Sequence, residues 1–283
     1  MKRAVLFFVF LFALIMLRAQ AREAGYLVLG EDSIFYEWAG SGPSLVLIHD
    51  GLLHREVWND QFSSFSKDFK VISYDRRGYG ASSAATGSYT HLADLKALFK
   101  QLEIENAVLI ACSSGGALAI DFTLEYPQKV KALVLVGAVV GGFSYTGHMR
   151  DRGGHLPENF RNEFEEGVYY IMDDPYEIYE KNSEAKKRAL DLFRKYPLRD
   201  NRRPAYVRPE IPSCRRLSEI AIPALILVGE FDIPDVHAHA GAINAGIRGS
   251  KRQIVRQSGH LVPLEQADAF NEIVLDFLMD NFN

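Results

Sequence analysis

The chain of 283 residues carries 32 Lys and Arg against 36 Asp and Glu, with 48% apolar and 24% charged residues, a globular composition that excludes a disordered, collagenous or coiled-coil chain. Without residues 1–21, which hold Lys2, Arg3 and Arg18 and no acid, 262 residues keep 29 bases against 36 acids, a net charge of −7. Such a surface repels phosphates, so no nucleic-acid partner is expected, and the length suits one large core with an insertion better than two equal domains.

Lys2-Arg3 leads into fourteen apolar residues, 4–17, and then Arg18-Ala19-Gln20-Ala21. This is the pattern of a signal peptide cleaved after Ala21, which predicts a secreted or periplasmic protein. An uncleaved anchor is the weaker reading, because fourteen helical residues span about 21 Å of a roughly 30 Å hydrocarbon core. No later run offers about 18 uninterrupted apolar residues, so no membrane span is expected after signal removal. The cysteines, Cys112 and Cys214, are too few for a disulfide scaffold, and neither begins the mature chain to carry a lipid.

Residues 26–30 and 33–38 alternate around Glu31-Asp32 and predict an antiparallel hairpin at a sheet edge. Six further β-rich runs follow at 44–48, 70–74, 107–111, 130–136, 224–228 and 252–256, most of them nearly continuous Val, Ile and Leu, as in strands covered on both faces. Between them lie amphipathic stretches. Leu92, Leu95, Leu98, Phe99 and Leu102 form one stripe over 91–102, and Phe270, Val274, Phe277 and Leu278 form another over 264–282. This alternation predicts the α/β class, with a mostly parallel, doubly wound sheet of about eight strands flanked by helices.

From 142 to 212 the alternation stops. Phe160, Phe164, Val168 and Met172 recur every four residues, and Ala189, Leu190, Phe193 and Tyr196 make a second helical stripe. So long an insertion exceeds what a crossover between parallel strands needs, and it predicts a helical lid between strands 6 and 7. The expected organisation is a signal at 1–21, a core formed by 22–141 and 213–283, and a cap at 142–212.

The run 107–111 passes directly into Cys112-Ser113-Ser114-Gly115-Gly116 and then a helical run. A sharp strand-to-helix turn needs small residues two positions to either side of its centre, here Ala111 and Gly115. Ser113 then projects above the strand end, and the helix amino terminus aims free N–H groups at developing negative charge. Ala111 stands where the G-x-S-x-G pattern has Gly, an added methyl that the turn should tolerate. A simple Ser-Gly helix cap is the bland alternative. Cys112 is a rival nucleophile, although at its place in the turn the thiol should point into packing. Cys214 is given no role.

A serine hydroxyl needs an imidazole to take its proton, and that imidazole needs a carboxylate. In a doubly wound sheet the partners follow later strands at the same rim. The run 224–228 is followed by Gly229-Glu230-Phe231-Asp232, and 252–256 by Gln257-Ser258-Gly259-His260, which makes Asp232 and His260 the expected partners. Glu230 and Asp235 are runner-up acids. The other acid position, after strand 130–136, holds Gly137-Ala138, which cannot serve. His237 and His239 lie two apart on a helical stretch and face different ways, so no metal site is expected there. At the end of run 44–48, His49-Asp50-Gly51-Leu52-Leu53 turns at the same rim, where the amide of Gly51 or Leu52 can join that of Ser114 around an oxyanion. His49 is read as holding this loop through its ring nitrogens.

Together, Leu47-Ile48-His49-Asp50-Gly51, Tyr74-Asp75-Arg76-Arg77-Gly78-Tyr79-Gly80-Ala81-Ser82, the Ser113 turn, Val228-Gly229-Glu230-Phe231-Asp232 and Ser258-Gly259-His260 resemble the α/β-hydrolase fold superfamily. The resemblance implies Ser113 as nucleophile, Asp232 as acid, His260 as base and the Gly51 and Ser114 amides as oxyanion donors, with Leu52 as the alternative donor. It also implies that the 75–82 loop is structural, and that the enzyme takes a small-molecule substrate without cofactor or metal. One departure is Asp50, where the family has Gly. Its carboxylate is expected to face outward, since inward it would repel an oxyanion. A serine nucleophile disfavours the haloalkane dehalogenases and epoxide hydrolases of this fold. The expected reaction is hydrolysis of small carboxylic esters through an acyl-enzyme. Proline iminopeptidases, lactonases, carbon–carbon bond hydrolases and cofactor-free haloperoxidases share such a triad, and a ligand-binding receptor retaining it is a different class of reading. Aromatics of the insertion suggest an apolar pocket, and Arg150, Arg152 and Arg202 are candidate contacts for an acidic substrate, although packing and solvation are the simpler readings.

Overall fold

A computed structural model describes residues 22–151, 163–196 and 211–282. The expected signal segment, Phe160 of the first cap stripe, Arg152 and Arg202 lie outside the described residues. In chain order the main elements are β1 (Glu23–Leu29), β2 (Asp32–Ala39), β3 (Ser44–Ile48), α1 (Asn59–Phe65), β4 (Lys70–Tyr74), α2 (His91–Gln101), β5 (Ala107–Cys112), α3 (Ser114–Glu125) and β6 (Val130–Val136). Then come α4 (Gly147–Asp151), α5 (Glu163–Met172), α6 (Ser183–Lys195), β7 (Ala224–Gly229), α7 (Pro234–Gly246), β8 (Lys251–Val255), α8 (Val262–Glu265) and α9 (Ala267–Phe282).

The strands form one eight-stranded sheet in the order β1-β2-β4-β3-β5-β6-β7-β8. β2 runs antiparallel to both neighbours, and β3 through β8 are parallel. Strand periodicity divides the core between the two faces. Val46, Ile48, Ile72, Leu109, Ala111, Leu133, Leu135, Ile226 and Val228 pack on one side against Leu95, Leu98 and Phe99 of α2, Ile120 and Phe122 of α3, and Val236 and Ile243 of α7. Their alternates, among them Leu45, Leu47, Val108, Ile110, Val134 and Leu227, pack on the other side against Phe62 of α1 and Phe270, Val274 and Phe277 of α9. This is the doubly wound α/β arrangement expected from the sequence.

Three local differences have physical causes. The hairpin turns at Gly30-Glu31, with Gly30 at φ 68°, because Asp32 already pairs with Leu29. β8 is an edge strand, and Lys251 to Ile254 are exposed, so its polar sequence meets water on both faces. The closing helical run is divided at Gln266, whose backbone leaves the helical region at φ −130°, ψ 52°.

The described part of the insertion is helical and rests against the core. Ala185, Ala189 and Phe193 of α6 join the same buried cluster as α1 and α9. His54 in the loop after β3 bonds the Leu192 carbonyl at 3.0 Å, and Lys195 pairs with Glu56 at 2.8 Å.

Candidate active site

Parallel strands in register bring their carboxyl ends to one rim. Ile48 lies opposite Ala111, Cys112 opposite Val136, and Gly229 opposite Val255. Ser113 follows β5 with φ 53° and ψ −120°, a sparsely populated conformation that an L residue keeps only when its surroundings enforce it. They do so here. Its N–H donates to the Val136 carbonyl at 3.0 Å, and its own carbonyl accepts from Gly116 N–H at 2.9 Å. A Cβ on Gly115 would lie 2.5 Å from the His49 carbonyl oxygen and 2.8 Å from that of Ile48, so only glycine fits. The methyl of Ala111 is instead absorbed by the core, which explains why the first small position tolerates Ala. Cys112 points into the opposite face beside Val134 and Val136. Burial, reinforced by the Asp50, Asp232 and Glu177 carboxylates, pushes its thiol well above the usual range.

The ends of β7 and β8 are stitched together. Glu230 N–H donates to the Val255 carbonyl at 2.9 Å and Phe231 N–H to that of Ser258 at 2.9 Å. The stitching sets Asp232 against His260, whose Nδ1 lies 2.9 Å from Oδ2 and 3.1 Å from Oδ1. Asp232 is 4% exposed, and its Oδ1 also accepts from Ile233 N–H at 2.7 Å. A proton on Nδ1 facing this carboxylate leaves Nε2 as the basic nitrogen. The backbone N–H of His260 is shared between the carbonyls of Tyr176 and Glu177, at 2.9 and 3.0 Å, so the insertion helps seat the imidazole. Beneath the pair lies Gly137, at φ 54°. A Cβ there would approach His260 Nδ1 to 3.0 Å and Asp232 Oδ2 to 3.3 Å. Gly137 adjoins Val136, the acceptor of Ser113 N–H, so serine backbone and imidazole flank the same strand end. The runner-up acids are engaged elsewhere. Glu230 accepts from Gln257 N–H at 3.0 Å, and Asp235 accepts from Thr146 N–H at 2.6 Å and its hydroxyl at 2.8 Å.

The loop after β3 corrects one expectation. Asp50 does not face solvent but is 1% exposed, because its Oδ1 folds back onto the N–H groups of Leu52 at 2.6 Å and Leu53 at 2.8 Å. That use occupies the Leu52 amide, the alternative donor, and leaves Gly51 as the amide of this turn that Asp50 does not engage. Ser114 opens α3, so its N–H has no intrahelical acceptor. A Cβ on Gly51 would stand 3.2 Å from Ser114 Oγ, which measures how closely the two residues expected to donate approach each other. His49 holds the loop through both ring nitrogens. Arg76 N–H donates to Nε2 at 3.0 Å, so the ring proton sits on Nδ1 and is given to the Asp50 carbonyl at 2.7 Å. Burial, and then the Arg76 charge, hold His49 neutral with a pKa well below the usual range.

Arg76, which the sequence marks only as part of a structural loop, brings its guanidinium into this site and donates to the Asp50 carbonyl and to Ser114 Oγ. The doubled arginine in Asp75-Arg76-Arg77 is the one trace of it in the sequence.

A model of the α/β-hydrolase family matches residues 45–273, most of the chain. The chain belongs to the α/β-hydrolase family. This α/β-hydrolase is 33% identical over 222 residues to the 2-hydroxy-6-oxononadienedioate/2-hydroxy-6-oxononatrienedioate hydrolase of Escherichia coli, covering 74% of this chain and 76% of the relative. It is 26% identical over 267 residues to the 2-hydroxy-6-oxo-6-phenylhexa-2,4-dienoate hydrolase of Comamonas testosteroni, covering 88% and 92%. Among solved structures, the naproxen esterase of Bacillus subtilis has the same fold, with a TM-score of 0.73 at 20% identity over 93% of this chain and 94% of that one. Both of these sequence relatives are named hydrolases, and hydrolysis is the activity of this α/β-hydrolase.

Proposed function

We propose that this α/β-hydrolase is a serine hydrolase that cleaves small carboxylic esters through an acyl-enzyme. The observation that carries the reading is the Asp232–His260 contact of 2.9 Å, held over Gly137 at the rim where Ser113 stands in its strained turn. In this reading Ser113 Oγ attacks the ester carbonyl carbon while His260 Nε2 takes the hydroxyl proton and Asp232 stabilises the imidazolium. The carbonyl oxygen becomes an oxyanion facing the Gly51 and Ser114 amides. Its collapse breaks the acyl C–O bond, and the imidazolium returns the proton to the leaving alcohol. Water then repeats the sequence on the acyl-serine with the same base. The helices of the insertion serve as a lid, an assignment supported by the Tyr176 and Glu177 carbonyls that receive His260 N–H.

A second reading is favoured by the names of the relatives at 33% and 26% identity. The bond broken would then join the acyl carbon to another carbon, and His260 would protonate a carbon leaving group. Steady-state assays of a generic aryl ester and a 2-hydroxy-6-oxo-dienoate, with Ser113→Ala beside the parent, separate the possibilities. Ser113→Ala should lose at least about 10³-fold in kcat on whichever substrate is used. Near-normal turnover by that variant defeats the serine mechanism. Fluorophosphonate labelling of the parent without multiple turnover on either substrate would point to a receptor instead.

A further inference from the structure

Three consecutive charged residues, Asp75, Arg76 and Arg77, are buried after β4, and two of them are paired. Asp75 holds Arg55 at 2.9 Å, and Arg77 holds Asp94 at 2.7 Å and also Asp32. Arg76 is 3% exposed, its Nε has no partner, and among the described residues no carboxylate forms an ion pair with it. Buried cations are normally paired with a carboxylate; this one lies over the Tyr79 ring instead, 4.8 Å from its centroid, a contact that leaves its N–H donors still to be accounted for.

Its contacts supply the account. Nη2 donates both to the Asp50 carbonyl and, at 3.1 Å, to Ser114 Oγ. The Asp50 carbonyl belongs to the same peptide unit as the Gly51 N–H. One guanidinium nitrogen therefore touches the two residues, Gly51 through its peptide and Ser114 through its side chain, whose amides were assigned to the oxyanion. His49 Nδ1–H donates to that same carbonyl, and the backbone N–H of Arg76 orients His49 in turn.

We infer that Arg76 is the positioning residue of the oxyanion hole, its guanidinium locking the Asp50–Gly51 peptide and Ser114 so that their two N–H groups converge on one oxygen. The inference rests on the acyl-transfer reading and deepens it. A carbonyl that accepts from a cation polarises its peptide and strengthens the N–H at the other end. A peptide plane held from behind cannot rotate when charge develops in front of it, which is the preorganisation such sites depend on. Arg76 also sets a positive charge at the residue that departs from the family. Asp50 brings a buried carboxylate whose Oδ2 has no partner, and a cation bound to the backbone of the same residue offsets the repulsion it exerts on an oxyanion.

Matched oxoester and thionoester substrates give the test. Sulfur accepts hydrogen bonds poorly, so a well-aligned oxyanion hole favours the oxoester strongly and a loosened one favours it less. Arg76→Gln should lower kcat about 10- to 100-fold, short of the ~10²–10³-fold of losing a donor outright, with KM within about threefold of the parent. The oxo-to-thiono rate ratio should shrink with it. Arg76→Lys, which keeps the charge but not the fork, should lie between the two on both measures, and it decides the matter if Arg76→Gln does not fold. A folded variant of either kind with the parent's rate ratio overturns the inference, as does an unchanged kcat. Ser113→Ala is run alongside: if it stays active the acyl-transfer reading itself has failed, and if it is dead while the Arg76 variants keep the parent ratio, only the role of Arg76 has.

Discussion

Cys112 and Ser113 are adjacent potential nucleophiles, and the turn assigns them opposite fates. The strand places the thiol in the core between β5 and β6, while the positive φ of Ser113 swings the next side chain to the rim. A thiol reacts as its thiolate, and burial together with the Asp50, Asp232 and Glu177 charges raises the Cys112 pKa well above its ordinary value. Native protein at pH 8 should therefore resist alkylation at Cys112, located by peptide mapping because Cys214 is more accessible. Cys112→Ala should keep kcat/KM within about threefold and lose about 1 kcal/mol of stability from the small cavity left behind. Loss of turnover in a folded Cys112→Ala protein would move the nucleophile to sulfur. The same residue scale holds the expectation that the structure corrects, the outward-facing Asp50. Position 50 was legible as a departure, but its orientation depends on the amides of Leu52 and Leu53, a turn geometry no residue pattern encodes.

Strand ends do the positioning at the next scale. β6 ends at Val136, and the following Gly137 has to pass under the Asp232–His260 pair at a φ that glycine adopts without strain. Gly137→Ala forces a left-handed L residue, at a cost of about 1–2 kcal/mol, and presses a methyl against His260 Nδ1. A displacement of about 1 Å at a catalytic group costs on the order of 10²-fold, so kcat/KM should fall 10- to 100-fold with only a modest drop in Tm. Unchanged kinetics would mean that the imidazole does not work from this position. The glycine was readable only as the absence of an acid after the sixth strand. By contrast the places of Ser113, Asp232, His260 and the 49–52 loop were readable because each lies within five residues of the carboxyl end of a strand, and a parallel sheet sends those ends to the same rim. Arg76 and Glu265 escaped for the opposite reason. Arg76 reaches Ser114 across 38 residues, and Glu265 reaches Tyr179 across 86, so their roles exist only in the folded chain. The break at Gln266 was hidden likewise, because the apolar spacing runs on unbroken from 264 to 282.

Glu265 ties the parts of the molecule together. At the end of α8, one carboxylate oxygen accepts from Gly259 N–H and the other from Tyr179 N–H, both at 2.8 Å, so a core loop next to His260 and a segment of the insertion share one side chain. Burial pushes this carboxyl up to about 7; the Glu177 and Asp232 charges add to the rise, and the two amide bonds oppose it. Unfolded, the same group titrates from its ordinary value of 4.5. Between those values the folded chain holds the proton longer than the unfolded chain, so the contribution of Glu265 to stability is complete below about pH 4.5 and is lost as pH rises through about 7. At about 1.4 kcal/mol per pKa unit, the change is at most ~3.5 kcal/mol. Urea denaturation at pH 5, 6, 7 and 8 should show the parent losing stability across this range relative to Glu265→Gln, which cannot ionise. The variant itself starts lower by about 1 kcal/mol, since its amide can accept from only one of the two N–H groups. The slope rather than the level is the readout, because other carboxylates titrate alike in both proteins and cancel in the difference. Parallel pH profiles for the two would show that Glu265 is not held protonated by the fold, and that the clamp between core and insertion works as an anion across pH 5 to 8.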